Sequence, residues 1–65
     1  MKLDADIYRA AKLVIERYSA DAAWWASQRV SQFLVEGDVA GVALWMTIQE
    51  AIEELQRRSK KRRVA

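Results

Sequence analysis

Three glutamates near the C-terminal end of the sequence come closest to forming a chemical site. Glu50, Glu53 and Glu54 are spaced so that an α-helix places them on one side. Clustered carboxylates can transfer protons or hold a metal ion. Glu53 and Glu54 also stand four residues before Arg57 and Arg58, which is the spacing of exposed ion pairs along a helix. We therefore expect these carboxylates to pair with the arginines rather than to perform chemistry.

The composition excludes most other catalytic chemistry. The 65 residues include no His and no Cys, which removes the usual zinc sites, thiol nucleophiles, disulfides and Ser-His-Asp triads. The serines and Thr47 have no base in a recognisable motif, and Gly37 and Gly41 are spaced as a turn rather than as a phosphate loop. The sequence predicts a protein that is not an enzyme, with no catalytic, cofactor-binding or metal-binding residues and no cofactor.

Helix-forming residues fill the chain, and no proline interrupts it. Gly37 suits the left-handed end of a helix, and Asp38 suits the N-cap of the next one. Ser19, followed by Asp21 in a first helical turn, suits another N-cap. We predict an all-α fold, either a three-helix bundle or an extended helical hairpin. The predicted helices span about residues 4–18, 20–36 and 39–58.

Apolar residues recur along each helix at the spacing that buries one side. The small residues among them would let neighbouring helices approach closely, and Gly41 is expected to be such a close-packing position. The predicted core stripes are Leu3, Ile7, Ala10, Ala11, Val14 and Tyr18 in the first helix; Ala22, Ala23, Ala26, Val30, Phe33 and Leu34 in the second; and Leu44, Trp45, Ile48, Ala51, Ile52 and Leu55 in the third.

The charge of the chain is divided between an acidic body and a basic tail. Residues 57–63 carry six positive charges, whereas the rest of the chain has five basic and nine acidic residues, a net charge of −4. We expect residues 1–58 to form a single helical domain and residues 59–65 to form a basic tail that self-repulsion keeps disordered. Such a tail can simply be a solvated terminus that keeps the protein soluble.

The tail can also bind nucleic acid through phosphate contacts. It contains no aromatic residue that could stack on bases, so this binding would be sequence-nonspecific. The outer side of the third helix carries glutamates that would repel phosphates, which argues against a recognition helix in the body. The residues that would contact phosphates are Arg57, Arg58, Lys60, Lys61, Arg62 and Arg63.

Several large apolar residues fall outside the predicted core stripes. Trp24 and Trp25 are adjacent, so a helix turns their side chains about 100° apart, and the first half of the third helix is apolar on nearly every side. Two interpretations stay open: the third helix is buried on two sides, or these residues form a contact surface, where Trp and Met are enriched. The predicted protein interface comprises Trp24, Trp25, Val35, Val39, Val42 and Met46.

The size of the chain favours an interaction partner, because a domain this small buries a small core. We therefore predict a small non-enzymatic helical interaction module that self-associates, as a homodimer, through an apolar surface of the second and third helices. The main alternative is a sequence-nonspecific nucleic-acid-binding accessory that uses the tail. No apolar run approaches the ~20 residues that cross a bilayer, and no signal peptide is recognisable. These patterns predict a cytoplasmic protein without a membrane partner.

Several stretches resemble a family of short all-helical proteins of alphaproteobacteria and their mobile elements. The stretches are DADIYRAAKLVI from Asp4, Asp21-Ala22-Ala23, GDVAG from Gly37, Ala43-Leu44-Trp45 and AIEEL from Ala51, which together span about residues 4–56. The family has no established activity, so the resemblance implies a helical fold in the bacterial cytoplasm rather than a function. It adds one alternative, a small phage or mobile-element inhibitor that docks on a larger protein.

Overall fold

The computed structural model describes residues 2–63, and it describes side chains for residues 5–59. This part of the chain is helical almost throughout and contains no strand, which confirms the all-α prediction. Helix α3 extends past the predicted end at residue 58, into the segment assigned to the tail. The elements are α1 (Lys2–Tyr18), a 3₁₀ turn (Ser19–Asp21), α2 (Ala22–Glu36) and α3 (Val39–Arg63).

A two-residue turn joins α2 and α3 into an antiparallel hairpin. Gly37 has a left-handed backbone (φ 75°), and its N–H donates to the carbonyl of Leu34 (3.1 Å), while the Asp38 N–H donates to the carbonyl of Phe33 (2.9 Å). The Asp38 carboxylate then accepts the N–H of Gly41 at 2.9 Å. Both end signals are confirmed, because the glycine closes α2 and the aspartate caps α3.

The turn between α1 and α2 is built differently. Ser19 has a left-handed backbone (φ 51°), which is unusual for a residue with a side chain. The prediction that Ser19 is an N-cap is wrong, since α2 begins after Asp21, which makes no side-chain cap hydrogen bond. The 3₁₀ turn supplies a partner for the first amide of α2, because Ala22 N–H donates to the carbonyl of Ser19. The same carbonyl accepts Gln56 Nε2 at 2.9 Å, which ties the turn to α3.

The core lies at one end of the hairpin, where α1 and α2 both pack against α3. Several of its members are alanines, which allow the helix axes to approach closely. The hydroxyl of Tyr8 donates to Glu54 Oε1 at 2.6 Å, linking α1 to α3 at the edge of this core. We call this region the three-helix junction. Its buried residues are Ile7, Ala11, Val14, Ala22, Ala26, Ile48, Ala51 and Ile52.

The other end of the hairpin has no such core. No residue between positions 27 and 47 is buried, and we call this segment the hairpin end. It is closed by the ring of Phe33, which lies directly on Gly41: a Cβ at that position would come within 2.5 Å of the ring. This confirms Gly41 as a close-packing position. The whole molecule measures 45 × 27 × 16 Å, so it is a thin plate rather than a sphere.

Candidate protein interface

The α2–α3 hairpin has two broad faces, and α1 lies on one of them. α1 reaches this face through Tyr18, whose ring stacks on Trp25 with centroids 4.7 Å apart, and through the hydrogen bond from Tyr8 to Glu54. The rotation of about 100° per residue places a set of apolar residues on the opposite side of the two antiparallel helices. We call this set the uncovered face. It comprises Ala23, Val30, Leu34, Val42 and Met46.

Within the hairpin end the uncovered face is apolar, partly exposed and without charge, and the carboxylate of Glu53, which accepts a hydrogen bond from Gln49 Nε2 at 3.3 Å, lies at its border. Leu34 is 62% exposed and Met46 is 49% exposed, while the other three residues are half-buried. The polar residues beside them, Ser27 and Gln49, carry no charge. The sequence stripe assigned Leu34 to the core, but the structure exposes it. The reason is that the small residues Ala22 and Ala26 turn toward α3, whereas Leu34 points along the flank of the pair.

The predicted interface residues do not share one surface. Val42 and Met46 belong to the uncovered face, and the exposed Val39 borders it at the start of α3. Trp24 and Val35 are also exposed, but they lie eleven residues apart on one line of α2. That line is on the outer side of α2, opposite the alanines that face α3. A partner placed on the uncovered face would therefore leave Trp24 and Val35 free.

Trp25, the remaining residue of the predicted interface, is half-buried against two other aromatic rings. Its indole stacks on Tyr18 and meets the ring of Trp45 edge-on, with centroids 5.3 Å apart. The adjacent tryptophans thus have different environments, as their separation around the helix predicts. Trp25 is part of an aromatic cluster that joins α1, α2 and α3, and it contributes no exposed surface comparable with that of Trp24.

Arg29 extends this aromatic cluster toward the hairpin end. Its guanidinium lies 5.7 Å from the Trp25 ring, 5.4 Å from the Phe33 ring and 5.5 Å from the Trp45 ring, within the range of cation–π attraction. Nη1 donates to Gln32 Oε1 at 3.0 Å, while Nε is buried without a hydrogen-bond partner. Arg29 is not among the predicted site residues, although its i−4 and i+4 spacing to two aromatic residues is a recognisable signal.

Of the two ion pairs predicted between these glutamates and the arginines, the described side chains form one, between Glu54 and Arg58. Glu53 instead accepts a hydrogen bond from Gln49 Nε2 at 3.3 Å. Arg58 Nη2 donates to Glu54 Oε2 at 2.8 Å, an ion pair across one helical turn. The hydrogen bond from Tyr8 lowers the pKa of Glu54 below its ordinary value, and the positive charges of Arg58 and Arg57 lower this pKa further. Arg57 and Arg58 are exposed. The side chains of Lys60, Lys61, Arg62 and Arg63, which the nucleic-acid prediction also names, lie outside the described side chains.

Other classes of site find little support in the described part of the chain. Within it, no group of three or more acidic, Cys or His side chains is arranged to hold a metal ion. None of the helices described there has the length and apolar character needed to cross a membrane. No family model, no curated protein and no solved structure matches the chain. The resemblance to alphaproteobacterial helical proteins therefore stays a prediction.

Proposed function

We propose that the protein is a small non-enzymatic interaction module whose α2–α3 hairpin pairs with the hairpin of a second copy. The observation that carries this proposal is the contrast along the hairpin. The hairpin end contains no buried residue, yet Leu34 and Met46 present apolar side chains there on a face that α1 does not cover. Burying apolar surface of this kind is the main driving force of protein association.

The size of the face suits a second copy of the chain. A standard protein interface buries about 800 Å² on each partner, roughly a sixth of the 5194 Å² surface of this molecule. The hairpin end makes up about a third of the sequence, so one broad side of it supplies an area of this order. Two hairpins stacked on their uncovered faces would form a four-helix bundle of two layers, and each α1 would lie on the outside of this bundle.

The absence of charge on the uncovered face also favours self-association. A two-fold interface brings identical patches together, so any charge near its centre would meet a like charge. Between positions 23 and 49 this face carries only apolar side chains and the neutral Ser27 and Gln49, and the nearest carboxylate on this side, that of Glu53, lies at its border rather than at its centre. Because its attraction is apolar, pairing should persist when the salt concentration is raised. Binding through the basic tail would instead weaken steeply with salt.

Sedimentation from micromolar to millimolar concentration tests this proposal, with a matched pair of variants. Leu34→Lys places a charge on the uncovered face, whereas Val35→Lys places the same charge on the outer side of α2, at a residue that is 88% exposed. We expect the unmodified chain and Val35→Lys to dimerise at both low and high salt. We expect Leu34→Lys to weaken the dimer by at least about tenfold, because it buries an unpaired charge.

A second readout locates the contact directly. Among residues 5–59, whose side chains the structure describes, Met46 is the only methionine. It lies on the uncovered face, so its methyl signal in NMR should shift with protein concentration. A monomer at every concentration would overturn the proposal. Weakening by Val35→Lys with no effect of Leu34→Lys would also overturn it, since the contact would then lie on the outer side of α2.

Binding of nucleic acid by the C-terminal segment is the second candidate function. The observation in its favour is that α3 continues as one helix from the body to Arg63, which would carry the basic segment away from the acidic body. Sequence-nonspecific phosphate contact predicts that affinity for mixed-sequence duplex DNA falls steeply with salt. Fluorescence anisotropy with the full chain and with a chain lacking residues 60–65 measures this. Equal affinity of the two chains would exclude the basic segment as the binding element.

A further inference from the structure

A notch lies where the side of α1 meets the aromatic cluster. It has a volume of about 330 Å³, and its wall on the α1 side includes Leu13, which is 61% exposed. The exposed leucine and the edges of the two indoles beside it place apolar surface in contact with water, which is unfavourable in free energy. The residues that line the notch are Leu13, Val14, Arg17, Tyr18, Trp25 and Trp45.

One arginine lines this notch, and a second lies over the two indole rings that form part of its wall. Arg17 lines it and is exposed, and Arg29 lies over the rings of Trp25 and Trp45. Neither arginine forms an ion pair with a carboxylate among the described side chains. The Nη2 of Arg29 has no hydrogen-bond partner in that range and is not among the buried atoms. The aromatic rings hold this guanidinium in place, so it is ordered before any ligand arrives.

The notch also marks the place where the layer formed by α1 stops. Ala51 of α3 is buried in the three-helix junction, whereas Leu44, seven residues earlier and on the same line of α3, is 45% exposed. The line of apolar residues on α3 that includes Ala51 and Leu44 therefore extends beyond α1, and no described helix covers it at Leu44. A helix of a partner that packed beside α1 would contact Leu13 of α1 and Leu44 of α3.

We infer that this notch is a docking site for an acidic amphipathic helix of another protein. The apolar side of such a helix would cover Leu13, Leu44 and the edges of the indoles, and its carboxylates would pair with Arg17 and with the free Nη2 of Arg29. Arginine is suited to this role because its planar guanidinium binds carboxylates in a fixed geometry. The site lies on the face that carries α1, so it is separate from the uncovered face and can be occupied in a dimer.

Synthetic peptides test the recognition chemistry. The probe is an 18-residue amphipathic peptide with leucines along one side and glutamates flanking them. One comparison peptide replaces every glutamate with lysine, and another has the same composition in scrambled order. We expect the acidic peptide to bind the full chain with micromolar affinity and the other two to bind at least about tenfold more weakly. Equal binding of the acidic and lysine peptides, or no binding of the acidic peptide at millimolar concentration, would overturn the inference.

The three tryptophans report where the peptide binds. Their indole N–H groups give separate NMR signals, and Trp25 and Trp45 line the notch, whereas Trp24 lies on the outer side of α2. We expect the acidic peptide to shift the signals of Trp25 and Trp45 and to leave that of Trp24 in place. A shift confined to Trp24 would overturn the inference, because the peptide would then occupy a different surface.

Matched variants of α1 complete the test. Arg17→Glu reverses a charge at the notch, whereas Arg9→Glu reverses the charge of another exposed arginine of α1, whose nearest acidic group is Asp6 at 4.0 Å. We expect Arg17→Glu to weaken binding of the acidic peptide by about tenfold or more and Arg9→Glu to change it by less than about twofold. Equal effects of the two variants would mean that only the overall charge matters, which would overturn the inference. Unchanged peptide binding by Leu34→Lys would show that docking is independent of dimerisation.

Discussion

The three-helix junction and the hairpin end are built from the same two helices, yet only the junction has an interior. At the junction α1 covers the hairpin, and eight residues are buried. At the hairpin end α1 reaches only the aromatic cluster at Trp45, and 21 consecutive residues, 27–47, include none that is buried. The difference teaches that two helices cannot enclose a core, because each pair leaves two broad faces in contact with water.

The two regions also hold their helices together by different means. Alanines bring the helices together at the junction, where Ala11, Ala22 and Ala26 have no exposed surface. At the hairpin end one flat ring, Phe33, rests on Gly41, and Arg29 bridges three aromatic rings. The junction therefore gains stability from burial, whereas the hairpin end depends on a few specific contacts and on its turn.

Truncation of Ile52 gives the largest expected effect. Ile52 is the largest fully buried side chain, so Ile52→Ala should cost about 2–5 kcal/mol, comparable with the stability that a core of this size supplies. We expect little folded protein in urea titrations followed by circular dichroism. The matched variant Val35→Ala, at the hairpin end, should change the free energy of unfolding by less than about 0.5 kcal/mol. Similar losses from both variants would remove the distinction between the regions.

Gly41→Ala tests the contact that closes the hairpin end. The added methyl group would lie within 2.5–2.9 Å of the Phe33 ring, so overpacking of about 1–3 kcal/mol should exceed the gain in helix propensity of about 1 kcal/mol. We expect a net loss of up to about 2 kcal/mol in chemical denaturation. The double variant with Phe33→Leu should recover part of this loss. Stabilisation by Gly41→Ala alone would show that the ring moves aside freely.

Ser19→Gly is expected to stabilise the connection to α1. The left-handed backbone of Ser19 (φ 51°) is strained for a residue with a Cβ, and glycine removes the strain at some cost in chain entropy. We expect a net gain of up to about 1 kcal/mol in the free energy of unfolding. Ser31→Gly, inside α2, serves as the control and should destabilise by about 0.5 kcal/mol. A loss of stability for both variants would contradict the conformation of the turn.

The smallest expected effect concerns pH and is confined to the junction. Hydrogen bonding from Tyr8 lowers the pKa of Glu54 in the folded state. This contribution to stability is therefore present above the ordinary pKa of a glutamate and is lost as the pH falls through the lowered value. Glu54→Gln should be less stable than the unmodified chain at neutral pH, and the difference should shrink in acid. An equal difference at neutral and acid pH would contradict this role of the hydrogen bond from Tyr8.

Most of the fold follows from local signals in the sequence. The turn at Gly37-Asp38 and the helices that flank it are specified by residues within a few positions of each other, so they could be predicted. The turn at Ser19 could not, because Ser, Ala and Asp in that order suit an N-cap as well as the observed 3₁₀ turn. Its conformation depends on contacts with distant residues, such as the hydrogen bond from Gln56.

The residues of the candidate surfaces could be predicted less completely than the helices, for a physical reason. Helical periodicity tells which residues share a side, but it does not tell how far along a helix its neighbour extends. Leu34 and Leu44 fit the core stripes and are nevertheless exposed, since α1 does not reach them. Trp25 falls beside polar residues in the sequence pattern, but Tyr18 and Trp45 enclose it in the structure.

The two-residue connection between α2 and α3 also has a consequence for the order of folding. Its hydrogen bonds join residues only three to five positions apart, and loops of this kind close within about 10–100 ns. The contact of Tyr8 with Glu54, by contrast, spans 46 residues, so its closure costs more chain entropy. We therefore expect the hairpin to form early and α1 to dock late when the full chain refolds, which leaves one side of α3 exposed until the last step.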